Sequence, residues 1–220
     1  MARELSLRSQ GQEEEGDQSP DRLHHSGHDD DDYDQDEAVG EGELLYRDFI
    51  SRRLRSESNL APHQLFSPQV RYPGVQYYHQ TSRQDLASDF SSLAERFERS
   101  GGREEVRRSA DMVDISSINQ DNLRQLLTEL FQDGVTQERL LVLFFFSSDL
   151  TLRVLRAGMV SLASRLTDWV VKFIRTVVSL LVRLEGGWRS LLSSLPPHLT
   201  LLSLSTALLG LGLLYLKRQS

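Results

Sequence analysis

The chain has 220 residues, room for one or two small domains, and a formal charge of −7 that is unevenly spread. Residues 1–41 carry −11 and the remainder +4, so the acidity belongs to a tail, and the modest positive balance elsewhere, not interleaved with aromatics, argues against a nucleic-acid partner. The absence of cysteine excludes disulfides, thiol catalysis and cysteine-based metal sites.

The first residues, MARELSLRSQGQEEE, lack an apolar run, so no secretory signal is expected. Residues 1–41 hold few aromatics and too little apolar surface to offset ordering entropy, which predicts a disordered acidic tail. His24, His25 and His28 beside the acidic block read as a solvated low-complexity tract rather than a metal site.

Glu43 to Ser56, ELLYRDFISRRLRS, places Leu44, Leu45, Phe49 and Leu54 broadly on one side of a helix. Residues 57–82 follow as a loop, broken by Pro62, Pro68, Pro73 and Gly74. The next stretch, LASDFSSLAERF, sets Leu86, Phe90, Leu93 and Phe97 at i, i+4, i+7 and i+11. At 100° per residue these four project within roughly 60° of one another. Their burial is worth on the order of 6–10 kcal/mol, so the stripe must meet either its own core or a partner. The helix is expected to start near Thr81 or Ser82 and to stop at Gly101 and Gly102.

A short charged helix over 103–112 is expected next, then one beginning at Ser117 with Leu123, Leu126, Leu127, Leu130 and Phe131 on one face, ending at Gly134. Thr136 is a candidate cap for the following helix, 137–156. Its unbroken apolar block, Leu140 to Phe146, suits the centre of a core or a membrane. A break at Ala157-Gly158 precedes a second apolar helix, 159–184, and Glu185-Gly186-Gly187-Trp188 ends that one before a short helix reaches Pro196. No strand pattern competes, and the bundle is expected to comprise seven or eight helices over residues 42–197.

The last element is uncharged from Leu199 to Leu216 and is followed by Lys217 and Arg218. At 1.5 Å per residue this run spans about 27 Å, which predicts a C-terminal membrane anchor over 198–220 through Leu199, Leu208, Gly210 and Leu216. Its serines, threonine and glycines make it only moderately apolar, so insertion could be conditional. No phosphate loop, paired-histidine metal site or Ser/His/Asp set is present in the sequence, so neither an enzyme nor a cofactor is expected. His63, His79 and His198 stand alone.

Hydrophobic recognition remains. The segment ELFQDGVTQERLLVLFFF resembles the first homology motif of the Bcl-2 family of apoptosis regulators, with Glu129-Leu130-Phe131, Asp133-Gly134 and Arg139 at its characteristic positions. Gly186-Gly187-Trp188 resembles the second motif. LASDFSSLAERF resembles the third, with Ala94 and Glu95 at its small and acidic positions. ELLYRDFISRRL, with Leu45, Asp48, Phe49 and Leu54, resembles the fourth. The five elements, counting the anchor, follow the family's order from about residue 43 to 220.

The resemblance implies an all-α bundle around a central hydrophobic hairpin, 137–156 and 159–184, and recognition by laying a helix into a hydrophobic groove. Leu130, Phe131, Gly134, Arg139, Gly186, Gly187 and Trp188 would frame that groove. Implied partners are Bcl-2 family proteins, as homo- and hetero-oligomers, and lipids of the mitochondrial outer membrane, with single-pass anchoring there or a cytosolic resting form. Two signs of activity stay open. One is a Bax- or Bak-like pro-apoptotic effector that oligomerises and permeabilises the membrane, and the texture of the apolar hairpin favours it. The other is an anti-apoptotic guardian that sequesters the third motifs of others. An unrelated tail-anchored scaffold is a third reading.

The chain departs from the family at Ala94-Glu95, where Gly-Asp is usual, and at Thr136-Gln137-Glu138-Arg139, where Asn-Trp-Gly-Arg is usual. Glu138 is expected to crowd Arg139 and to cost an acidic ligand about 0.5–1 kcal/mol, making this groove a poorer receptor. Arg139 and Glu95 form a candidate ion pair, with two separate solvated charges as the alternative.

Overall fold

A computed structural model describes residues 29–57 and 80–193. Eight α-helical segments account for nearly all of them: α1 (Asp29–Glu57), α2 (Gln80–Glu98), α3 (Gly101–Met112), α4 (Gln120–Leu130), α5 (Gln137–Arg156), α6 (Val160–Phe173), α7 (Ser179–Leu184) and α8 (Gly187–Ser193). A π-helical turn, Ile174–Val178, joins α6 to α7. Among the described residues there is no strand.

Helix α5 is the axis. Leu140 through Phe146 are all buried, as an element apolar on every side requires. Its buried hydroxyls cause no deficit, because Ser147 Oγ donates to the Leu143 carbonyl, Ser148 Oγ to Phe145 and Thr151 Oγ1 to Ser147. Around it pack α1, α2, α3, α4 and α6, with α8 closing the free side of α2. The hairpin of α5 and α6 turns at Gly158, whose φ of 77° belongs to the left-handed region that glycine reaches without strain. The fold is the expected all-α bundle around this hairpin.

Several boundaries differ from expectation, for local reasons. The acidic segment expected to be disordered is helical from Asp29 onward. Acidic side chains suit a helix N-terminus, and farther along α1 Ala38 is buried beneath Trp188. Leu44, assigned to the buried side of this helix, is 47% exposed, while Leu45, Phe49 and Leu54 are buried.

Gly101 and Gly102 do not stop α2; they are the first two residues of α3. Only Arg99 and Ser100 separate these helices, and the Ser100 hydroxyl donates to the Phe97 carbonyl at 2.7 Å, closing the last turn of α2. Helix α4 begins at Gln120, because Asn119 caps it by accepting from the Asn122 N–H, whereas Ser117 sits in a turn held by Asp114. Leu126 is half-buried rather than core. The helix expected over 159–184 is interrupted by the π-turn, whose Ile174 and Val178 are buried.

Among the described residues no helix is long and apolar enough to cross a membrane. The expected anchor, with Leu199, Leu208, Gly210, Leu216, Lys217 and Arg218, lies outside the described residues, as do the six histidines and most of the 57–82 loop.

Candidate functional site

The four apolar residues of α2 occupy one buried face: Leu86, Phe90 and Phe97 are almost wholly inaccessible, and Leu93 lies at the rim with 9% exposure. Their seat is aromatic. The Phe90 ring lies 4.7 Å from Phe144 and 5.8 Å from Phe49, and Phe97 lies 5.2 Å from Phe145. Phe49 of α1 meets the same pair, at 5.6 Å from Phe144 and 5.0 Å from Phe145. Two consecutive phenylalanines of α5 therefore receive both the α1 motif and the α2 motif. Edge and tilted ring contacts of this kind add about 0.5–1.5 kcal/mol each beyond burial.

Ala94 is buried within the same face, so its methyl is accommodated in this core. Glu95 points outward. Among the described residues the polar ties on the rest of α2 are few: Arg52 of α1 donates to Ser91 Oγ at 2.8 Å, the buried Arg53 reaches the exposed Glu98 at 3.2 Å, and Arg189 of α8 reaches Asp85 at 3.8 Å. Asp48, named with the α1 motif, is half-exposed and pairs along its own helix with Arg52 at 2.6 Å.

Between α4 and α5 the chain makes a tight turn. Gly134 adopts φ 94°, and its carbonyl accepts from Arg139 Nη1 at 2.7 Å, while Arg139 Nη2 meets Asp133 at 3.0 Å. Thr136 caps α5 as expected, accepting from the Arg139 N–H. The candidate Arg139–Glu95 pair is not formed. Asp133, rather than Glu138 or Glu95, carries the carboxylate on Arg139, because the φ > 0 turn folds Asp133 back over the first turn of α5. Leu130 and Phe131 are buried, and Phe131 packs 5.9 Å from Phe173 of α6.

Trp188 does not border an open groove. It is completely buried, its Nε1 donates to the Ala38 carbonyl at 2.7 Å, and a Cβ on Gly42 would stand 2.5 Å from its ring. The glycine pair before it takes φ 85° and 92°, turning the chain so that α8 doubles back and Trp188 enters the α1–α7 interface. The residues expected to frame a groove therefore fall into two groups: a turn at Gly134–Arg139, and a tryptophan locked under α1.

Two features escaped sequence reasoning. Gln137, at the position where the family motif has tryptophan, is buried and donates to the Leu191 and Leu192 carbonyls at 2.8 and 3.2 Å, capping the end of α8. Asp149, the lone acid in the apolar run of α5, is the centre of a charge cluster. It accepts from Arg103 through both oxygens, at 2.6 and 2.8 Å, and from Arg53 at 3.0 Å. An acid inside FFFSSDLTL was itself the available signal, since a buried charge demands partners.

A model of the family described as "Apoptosis regulator proteins, Bcl-2 family" matches residues 89–188, from the middle of α2 to Trp188. Over those residues the chain carries the Bcl-2 family's pattern. Among curated protein sequences none matches it. The solution structure of human BOK aligns with a TM-score of 0.52 at 18% identity, covering 72% of this chain and 98% of that one. The crystal structure of Geodia cydonium BHP2, in complex with Lubomirskia baicalensis Bak-2, aligns with a TM-score of 0.51 at 16% identity, covering 72% and 92%. At such identities the likeness establishes the Bcl-2-like fold, and the similarity to a family of apoptosis regulators rests on residues 89–188. The α1 segment precedes the matched residues.

Proposed function

We propose that this chain is an apoptosis regulator, and specifically a pro-apoptotic effector of the Bax or Bak kind, in which α2 is core at rest and ligand when released. One observation carries the reading: Leu86, Phe90, Leu93 and Phe97 are buried against α1 and α5, while the polar ties of that helix among the described residues end on exposed or half-exposed groups of α2. An apolar face can be transferred to another apolar surface at little net cost, because burial is non-directional. The seat vacated on Phe49, Phe144 and Phe145 would take the α2 of a second copy by helix-in-groove docking. Arg139 would then exchange Asp133 for Glu95 of the incoming helix. Trp188, Gly186 and Gly187 would hold α8 beside that seat.

The partners we propose are other Bcl-2 family chains and a second copy of this one; the Geodia cydonium protein is itself seen with a Bak-2 chain. The site of action we propose is the mitochondrial outer membrane, reached through the apolar run 199–216 and its Lys217-Arg218 flank.

Release of trapped dye from liposomes by the purified full chain tests the effector reading, with Leu93→Glu in parallel. Leu93 sits at the rim, where a charge perturbs the resting fold least and a docked interface most. Release that Leu93→Glu abolishes supports the effector; absence of release, together with inhibition of another effector, would make the chain a guardian.

A further inference from the structure

Helices α2 and α3 are joined by two residues yet fastened differently: α3 buries Val106 and Ala110 and adds charged clasps. Helix α3 is clamped to α5 at both ends by arginines. At its start, Arg103 grips both oxygens of Asp149. At its end, Arg153 of α5 donates to the Ala110 carbonyl at 2.9 Å and to the Val113 carbonyl. These are charge-assisted bonds, the strong class, and they are shielded: the Asp149 side chain is 10% exposed and that of Arg103 13%. Both Arg103 and Arg53 lie over the Phe145 ring, at 4.9 and 5.1 Å, which adds cation–π attraction.

The cluster also reaches α1, where Arg53 bonds Asp149 at 3.0 Å and Glu57 at 2.5 Å, and Glu57 in turn meets Arg156 at 3.2 Å. Its only hold on α2 is the Arg53–Glu98 bond, at the end where Glu98 is 57% exposed.

We propose that the Asp149 cluster is a lock that keeps α3 and the end of α1 on α5 when α2 opens, so that α2 swings out alone about Arg99–Ser100. The proposal rests on the reading that α2 leaves the core, and it adds which neighbours stay behind. An arginine clasp is directional and specific, so α3 has no equivalent seat to move to. Helix α2 loses apolar contacts that a second surface replaces, together with the ties at Ser91, Glu98 and Asp85, each ending on a side chain that water can reach. Gly101 is exposed and begins α3 without a side chain, so the backbone there turns freely while Gly102, buried against the bundle, stays put.

Hydrogen exchange on the resting full chain, read by mass spectrometry, tests this without membrane or partner. In the wild type, amides of 86–97 exchange faster than those of 103–112. Arg103→Met keeps the stem over Phe145 and removes the clasp; it speeds exchange in 103–112 by about ten- to hundredfold, the loss of one charge-assisted bond, and leaves 160–173 unchanged. Asp149→Asn does the same for α3 and for the end of α1. Equal exchange of 86–97 and 103–112 in the wild type overturns the proposal. So does an Arg103→Met variant that speeds all helices alike, or none. A chain that shows the exchange difference but releases no dye keeps the lock and loses the effector reading.

Discussion

Helix α2 and helix α3 show two ways of attaching a helix to the same core. Helix α2 is held by four apolar side chains on an aromatic seat; α3 buries the smaller Val106 and Ala110 and is also held by arginines that satisfy a buried carboxylate and two helix-terminal carbonyls. The first attachment is large in free energy and indifferent to partner. The second is specific in geometry, and its charges carry a desolvation cost. Burial pushes the Asp149 carboxyl above its usual range even against the pull of Arg103 and Arg53. A buried pair of this kind adds little relative to an apolar substitute, but it punishes removal of one member. A protein that must release one helix and keep its neighbour is served by this division.

The comparison can be broken from either side. The largest effect is expected at α2 itself. Phe90→Ala empties a fully buried position between Phe49 and Phe144 and should lower global stability by about 3–5 kcal/mol, read from the urea midpoint. Arg103→Met should follow. It leaves Asp149 buried with Arg53 as its remaining arginine partner, so the loss should be smaller than the roughly 3–5 kcal/mol of a fully orphaned charge, and adding Asp149→Leu should recover part of it. If the double variant were less stable than Arg103→Met alone, the cluster would be a net stabiliser rather than a positional lock.

Arg153→Met should cost about 1.5–3 kcal/mol, because the Ala110 and Val113 carbonyls lose a charged donor; limited proteolysis should then cut at the end of α3 before anywhere in α6. Glu98→Gln should be the mildest, about 0.2–1 kcal/mol and weaker in high salt, as for any exposed pair. A Glu98→Gln effect as large as that of Arg103→Met would mean that α2 is locked too, and the contrast between the two helices would collapse.

Much of the fold was legible in the chain. The stripe of α2, most of the α4 face, the cap at Thr136 and the apolar hairpin follow from spacing and residue type. Boundaries were less legible where two signals compete. Gly101-Gly102 has the composition of a helix stop, yet it opens α3, with Gly102 buried. The acidic run before Ala38 has the composition of disorder, yet α1 extends into it, with Ala38 sealed by Trp188.

The candidate site divides the same way. The α2 anchors could be named from periodicity because neighbours on one helix face are set by local geometry. The partner of Arg139 could not be, since it depends on how the Gly134 turn folds Asp133 back. Gln137 on the α8 carbonyls and Asp149 between two arginines join residues 54 and 46 positions apart, beyond what any local pattern encodes.

The helical segments and their apolar faces were readable in the sequence alone, because periodicity is a property of neighbours along the chain. Only the tertiary structure decided that Trp188 is sealed under α1, that Arg139 serves its own turn, and that α3 is clasped while α2 is merely seated. Those outcomes turn on which distant groups a buried charge or carbonyl finds. A desolvated polar atom must take a partner, and packing alone settles which one is within reach.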